Sequence, residues 1–126
     1  YESGEIPIGA VVVCDGCVIA RAHNEVERLS DPTAHAEVLA VTAATQYMGS
    51  KFLGDCRLYV TIEPCTMCAG ALHWARLGEI IYGASEEKFG YQRYAPEIFP
   101  RATKVRGGVL AEEARALMQS FFRARR

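Results

Sequence analysis

Two short motifs in this chain carry residue types that bind metal ions: His35-Ala36-Glu37 and Pro64-Cys65-Thr66-Met67-Cys68. One imidazole and two thiolates form a ligand set that is typical of zinc. Three protein ligands leave the fourth tetrahedral position for water, which is typical of a catalytic zinc rather than a structural one. We therefore predict that His35, Cys65 and Cys68 bind a single zinc ion.

Glu37 is the candidate catalytic residue. A zinc ion with two thiolate ligands is formally neutral, so it acidifies its water less than a site with three histidines would. A nearby base is therefore still needed to accept a proton. Glu37 lies two residues after His35 and does not have to bind the metal. It can lie over the open position instead.

A structural zinc site is the alternative, and it would make the chain a zinc-stabilised binding module without turnover. Such a site needs a fourth protein ligand, for which Cys56 and His73 are available. Cys56 opens a predicted strand, where a small core residue is the ordinary interpretation. His73 lies about 140° around the helix from Cys68, away from the zinc-binding face. A structural site also leaves Glu37 without a role.

The elements that must position these motifs begin with five predicted strands, over residues 8–13, 18–22, 58–62, 80–82 (closed by Gly83) and 103–109. Cys14-Asp15-Gly16-Cys17 separates the first two, and Asp-Gly between apolar runs favours a two-residue type I′ turn. We therefore assign Cys14 and Cys17 to a hairpin rather than to a second metal site. The apolar runs suggest a sheet that is covered on both faces.

Three long helices are predicted over residues 32–48, 64–77 and 111–125. The first has Pro32 at its first helical position after a capping Ser30-Asp31 pair, and it stops at Gly49. The order of strands and helices predicts a three-layer α/β arrangement with a mixed sheet. Because the first two of these helices follow strands that run in the same direction, both motifs can face one crevice.

Composition favours one folded domain over residues 1–126: half of the residues are hydrophobic and 23% are charged. No apolar run approaches the roughly 20 residues of a membrane span, and the first residues do not resemble a secretory signal. Five cysteines, an odd number, favour free thiols in the reducing cytoplasm over a disulfide framework.

The formal net charge of −1 argues against a broad nucleic-acid surface. Charge is nevertheless uneven, because residues 101–126 contain seven basic and only two acidic side chains. The basic end of the chain is either a solvated helix terminus or a tail that contacts phosphates.

The two motifs together resemble the signature of the zinc-dependent cytidine/adenosine deaminase superfamily. Over nearly the whole chain the sequence is similar to bacterial tRNA-specific adenosine deaminases. The segments that carry this similarity are 5–11, 31–37, 58–65, 67–71 and 121–123. The resemblance implies an α/β/α cytidine deaminase-like fold with a mixed five-stranded sheet, a homodimer, and deamination of adenosine to inosine at the wobble position of the tRNA anticodon loop. The family usually has a further helix before Glu5, so we expect a trimmed start.

The resemblance implies the same zinc ligands and a Glu37 that transfers protons from water to the ring and to the leaving amine. It also implies three contacts to the substrate base. These would come from the side chain of Asn24, the backbone of Ala36 and the carbonyl group of Pro64. Asn24 has an alternative role as the cap of a loop.

The segment after Tyr82-Gly83-Ala84 departs from the family pattern. The family commonly has an aspartate near the RNA backbone here, and Glu86 is the candidate for that contact in this chain. Tyr91 and Tyr94, with Arg93, either stack on unpaired bases or form a packed surface cluster.

The departure leaves a second function open, because the zinc motif serves adenine, cytosine and guanine alike. In that case the chain would deaminate free nucleobases or nucleosides such as guanine, cytosine or cytidine. Trp74-Ala75-Arg76 also resembles the corresponding stretch of bacterial guanine deaminases.

Overall fold

The computed structural model describes residues 4–124. In that range it contains five strands: β1 (Gly9–Cys14), β2 (Cys17–His23), β3 (Cys56–Ile62), β4 (Glu79–Ala84) and β5 (Lys104–Arg106). It contains five helices: α1 (Val26–Leu29), α2 (Ala36–Met48), α3 (Thr66–Ala75), α4 (Tyr91–Tyr94) and α5 (Ala111–Ala124).

The strands form one mixed sheet in the order β2-β1-β3-β4-β5. β1 is antiparallel to both β2 and β3, whereas β3, β4 and β5 are parallel. The predicted hairpin is confirmed, because Asp15 and Gly16 have φ values of 51° and 76° and Cys14 pairs with Cys17. The mixed five-stranded α/β fold is therefore as the sequence predicts.

Helices lie on both faces of the sheet. α2 packs on β1 and β2 and against α3, whereas α5 packs on β3 and β4 from the other side. The main core lies under α2 and α3, where Val12, Leu58 and Leu72 are buried in one cluster. The face under α5 is covered less completely, because that helix does not extend over β1 and β2. Tyr59 on this face is 37% exposed.

The start of α2 differs from the prediction by four residues. The backbone N–H and the hydroxyl of Thr33 both donate to Asp31 Oδ1, at 2.8 and 2.7 Å, so Asp31-Pro32-Thr33 forms a turn. His35 is the N-cap residue in an extended conformation. α3 likewise begins two residues after Pro64, with an extended Cys65 at its N-cap. The first candidate ligand of each motif, His35 or Cys65, therefore lies one residue before a helix.

Smaller differences from the prediction concern α1, α4 and β5. The short helices α1 and α4 were not predicted, since four residues are too few to show helical periodicity. β5 has three residues instead of seven and ends before Gly107, which packs against the ring of Tyr82. The predicted end of the last helix, at Arg125, lies outside the described residues.

None of the helices in the described range has the length and apolar character needed to cross a membrane.

We predict that Gly83→Ala destabilises the fold. A Cβ atom at this position in β4 would overlap the backbone carbonyl oxygen of Thr61 in β3. Overpacking against backbone should lower the free energy of unfolding by about 1–3 kcal/mol, measured by urea denaturation. Gly9→Ala in β1 is the matched control, because its Cβ would make only ordinary contact with Ala22. Equal effects of the two variants would contradict this prediction.

Candidate metal and active site

The two motifs meet because of the strand directions. β2 and β3 are both antiparallel to β1, so they run the same way and their carboxyl ends share one edge of the sheet. The chain leaves β2 through α1 and reaches His35 at the start of α2. It leaves β3 directly and reaches Cys65 at the start of α3. The adjacent N-termini of α2 and α3 therefore bring the imidazole and the two thiols together.

The geometry of these three side chains fits a metal ion. His35 Nδ1 lies 3.6 Å from Cys65 Sγ and 3.4 Å from Cys68 Sγ. A tetrahedral zinc with ordinary ligand distances would place nitrogen and sulfur about 3.5 Å apart. Among residues 4–124, only this group brings three possible ligand atoms within 4.8 Å of one another.

Neither of the possible fourth ligands joins the group. Cys56 is buried at the start of β3, beside Cys14 and away from the edge that carries Cys65. His73 places Nδ1 2.6 Å from the carbonyl oxygen of Ile98. The observed donor set is therefore one imidazole and two thiols, and not four protein ligands.

The electrostatics of the thiols favour a thiolate at Cys65. Hydrogen bonds from the thiol and the backbone N–H of Cys68, with His35 nearby, lower the pKa of Cys65 to about 5. The pKa of Cys68 is raised, because its proton is held against Cys65 and because the side chain is buried. An amide at the start of α3 thus stabilises negative charge where a cation would bind.

Glu37 lies beside this group in the first turn of α2. Its side chain is only 3% exposed, and burial raises the pKa of the carboxyl group to about 7. In the described part of the chain, Glu37 Oε1 is the one buried side-chain oxygen or nitrogen atom without a hydrogen-bond partner. Such an orphaned oxygen is costly in a core that only packs, so its position points to a chemical role.

A cavity of about 430 Å³ opens next to His35. Asn24, Pro32 and Phe121 contribute to its wall, together with the segment around Glu5. Asn24 is buried and anchored by its backbone N–H, which donates to the carbonyl oxygen of Ile8 at 3.0 Å. The volume is within the range of sites for small ligands.

Of the other predicted substrate contacts, Pro64 and Glu86 already accept hydrogen bonds within the protein. Ala36 is fully buried at the start of α2. The carbonyl oxygen of Pro64 accepts a hydrogen bond from Tyr91 N–H at 2.9 Å. Glu86 Oε1 accepts from Lys88 N–H at 2.8 Å, so this carboxylate shapes its own turn.

Tyr91 and Tyr94 lie in the same segment, and they were predicted either to stack on bases or to form a packed cluster. The structure gives them different environments. Tyr91 is buried and packs edge-on against Phe99 at 4.8 Å, so it is part of a packed cluster and cannot stack on a base. Tyr94 is exposed, and the guanidinium group of Arg93 lies 5.5 Å from its ring centroid.

Two buried carboxylates near the site, Glu5 and Glu63, are not predicted from the sequence. Glu5 accepts hydrogen bonds from the backbone N–H groups of Glu27 and Arg28, and Glu63 accepts from those of Glu86 and Gln92. The only sequence signal is an acidic residue at the edge of an apolar segment, which does not reveal distant partners.

Comparison with known sequences places this fold and site in a known family. The family described as MafB19-like deaminase matches residues 1–126, so the chain belongs to this deaminase family. The tRNA-specific adenosine deaminase of Streptococcus pyogenes is 43% identical over 127 residues, which cover 97% of this chain and 80% of that protein. The Aquifex aeolicus enzyme of the same name is 49% identical over 90 residues, 71% of this chain and 60% of that protein.

Solved structures agree with this assignment. A structure from a study of A-to-I editing by tRNA:A34 deaminases is 40% identical, with a TM-score of 0.85 over 92% of this chain and 88% of that one. Guanine deaminase from Bacillus subtilis is 44% identical, with a TM-score of 0.63 over 72% of this chain and 61% of that one.

We predict that Cys65→Ala abolishes tight metal binding. The purified wild-type protein should contain about one metal ion per chain by elemental mass spectrometry, whereas the variant should contain almost none. Cys17→Ala is the control, because this exposed thiol lies in the hairpin. Full metal content in the Cys65 variant would rule out the ligand role.

Proposed function

We propose that this protein is a zinc-dependent hydrolase that converts adenosine to inosine at the wobble position of tRNA. The observation that carries the proposal is the orphaned Glu37 oxygen beside the His35, Cys65 and Cys68 group. Similarity to a tRNA-specific adenosine deaminase over 97% of the chain supports the choice of substrate.

His35, Cys65 and Cys68 would hold a zinc ion, which when bound would lower the pKa of a water molecule. Glu37 is still needed as the base that accepts the proton. Glu37 would accept a proton from the water as the water oxygen bonds to the ring carbon that carries the amino group. It would deliver this proton to the adjacent ring nitrogen. It then transfers the second proton of the added water to the amino group. The carbon–nitrogen bond breaks and ammonia leaves, so that water and adenosine give inosine and ammonia.

The cavity beside His35 would hold the base. The side-chain amide of Asn24 offers both a donor and an acceptor, which suits the mixed edge of a purine. The N–H of Ala36 and the remaining lone pair of the Pro64 carbonyl would complete the contacts. Glu86 would lie near the sugar-phosphate backbone of the flanking nucleotides. Its side chain holds the turn that would place this segment there.

Exposed aromatic and cationic side chains on α4 and α5 support an RNA substrate. The ring of Phe122 is half-exposed on α5 next to Arg123, and Arg93 lies over exposed Tyr94. Such pairs bind unstacked bases and phosphates. All five cysteines are free thiols, which supports a cytoplasmic location.

A guanine deaminase is the second candidate function. The 44% identity to the Bacillus subtilis enzyme favours it, and the departure of the 85–96 segment from the tRNA-deaminase pattern agrees with it. A substrate panel separates the two functions: an anticodon stem-loop RNA, guanine, cytosine and cytidine. Inosine in the RNA supports the proposal, whereas ammonia release from guanine alone would overturn it.

Glu37→Gln should abolish deamination while the metal stays bound. The amide keeps the size of the side chain but cannot accept a proton, so the rate of inosine formation should fall by at least about a hundredfold. Nucleoside analysis of the RNA measures the rate, and elemental analysis measures the metal. Glu112→Gln, on the exposed first turn of α5, should retain wild-type activity. Parallel loss of metal and activity in the Glu37 variant would contradict its role as a base.

A homodimer is supported by one exposed face of α3. Met67, Gly70, Ala71 and Trp74 recur at the spacing of a single helical face. The indole of Trp74 is 74% exposed, although it is the largest side chain of the helix. An apolar stripe with small residues at its centre is suited to close packing against a second copy.

Trp74→Glu should therefore convert a dimer into a monomer, because it would place a charge in an apolar interface. Size-exclusion chromatography with light scattering measures the mass. Val18→Glu on edge strand β2 is the control, since it adds the same charge at another half-exposed apolar position. A monomeric wild-type protein, or a dimeric Trp74 variant, would contradict the assignment.

A further inference from the structure

Glu63 connects the metal motif to the segment of residues 85–92, which we name the flanking loop. The residue lies between β3 and Pro64, and its side chain is 5% exposed. Glu63 Oε1 accepts from Glu86 N–H at 3.1 Å, and Oε2 accepts from Gln92 N–H at 3.1 Å. One carboxylate therefore holds both ends of the flanking loop.

Backbone contacts extend the same attachment to the metal motif. The N–H of Glu63 donates to the carbonyl oxygen of Ala84 at 2.8 Å, and Ala84 directly precedes the flanking loop. Tyr91 N–H donates to the carbonyl oxygen of Pro64, and Cys65 pairs with Gly90 in an isolated antiparallel bridge. The flanking loop therefore lies along the residues that lead into the candidate ligand Cys65.

Gly90 shows how closely the flanking loop approaches the carboxylate. A Cβ atom at this position would overlap both the Glu63 carboxylate and the carbonyl oxygen of Glu86. The backbone can pass here only because residue 90 has no side chain. The contact therefore depends on both partners, and it can be disturbed from either side.

We propose that Glu63 is a positioning residue that fixes the flanking loop beside Cys65, so that Lys88 and Phe89 meet the nucleotides next to the target base. Phe89 is 61% exposed and directly precedes Gly90, which pairs with Cys65. A cation and an exposed ring at this position suit a phosphate and an unstacked base. The proposal rests on the proposed RNA substrate.

Positioning of the flanking loop by Glu63 can be distinguished from positioning of the candidate metal ligand Cys65. Cys65 is also fixed from its own helix, because its carbonyl oxygen accepts from Ala69 N–H at 2.8 Å. His35 and Glu37 lie at the start of α2. Among the described residues, no hydrogen bond joins either side chain to the flanking loop. Loss of the Glu63 contact should therefore change substrate binding more than metal binding or chemistry.

The test compares Glu63→Gln with Glu79→Gln. The amide preserves the size of Glu63 but replaces one accepting oxygen by a donor, so one of the two N–H groups loses its partner. Glu79 is the control because it pairs with Arg57 at 3.3 Å at the start of β4, away from the site. Amide hydrogen exchange over residues 85–92 should become faster in the Glu63 variant and remain unchanged in the control.

With a stem-loop RNA, Glu63→Gln should raise KM by about tenfold and change kcat by less than about twofold, with full metal content. Gly90→Ala should give the same pattern, and it serves as the second variant if Glu63→Gln does not fold. Unchanged KM and exchange, or loss of metal together with kcat, would overturn the proposal. A wild-type protein that makes no inosine would instead overturn the proposed substrate, while the exchange data would still test the attachment of the loop.

Discussion

The candidate site is built on the contact between one imidazole and two thiols at the adjacent N-termini of α2 and α3. His35 and Cys65 are both extended N-cap residues, so their side chains lie beyond the helix ends instead of along the helix sides. The hairpin of β1 and β2 and the antiparallel pairing of β1 with β3 make this possible, because they direct β2 and β3 toward the same edge. The remainder of the site is arranged around this contact.

Three buried carboxylates surround the site, and their partners distinguish their roles. Glu5 and Glu63 each accept two backbone N–H groups, so their charges are satisfied and they hold chain segments in place. Glu37 differs because its Oε1 atom has no partner. A protein retains such an atom where a ligand or a reacting proton meets it. This contrast supports the proposed role of Glu37 as the residue that transfers protons.

The sequence predicts those features that arise from local chemistry. Asp15-Gly16 specifies its turn through positive φ values, and the spacing of Cys65 and Cys68 places two thiols at one helix start. Asp31-Pro32-Thr33 was misassigned, because the same residue types that cap a helix also form a turn.

Features that depend on distant partners could not be predicted in the same way. The amides that Glu63 holds are 23 and 29 residues away, in a segment without helical or strand periodicity. Whether Tyr91 is buried or exposed depends on its packing against Phe99, which composition does not reveal.

Zinc K-edge X-ray absorption of the zinc-loaded protein counts the sulfur atoms around the metal and so examines the ligand set of His35, Cys65 and Cys68 itself. We expect two sulfur ligands at about 2.3 Å and lighter ligands, imidazole nitrogen among them, at about 2.0–2.1 Å. A spectrum with three or four sulfur ligands, or with none, would contradict this ligand set.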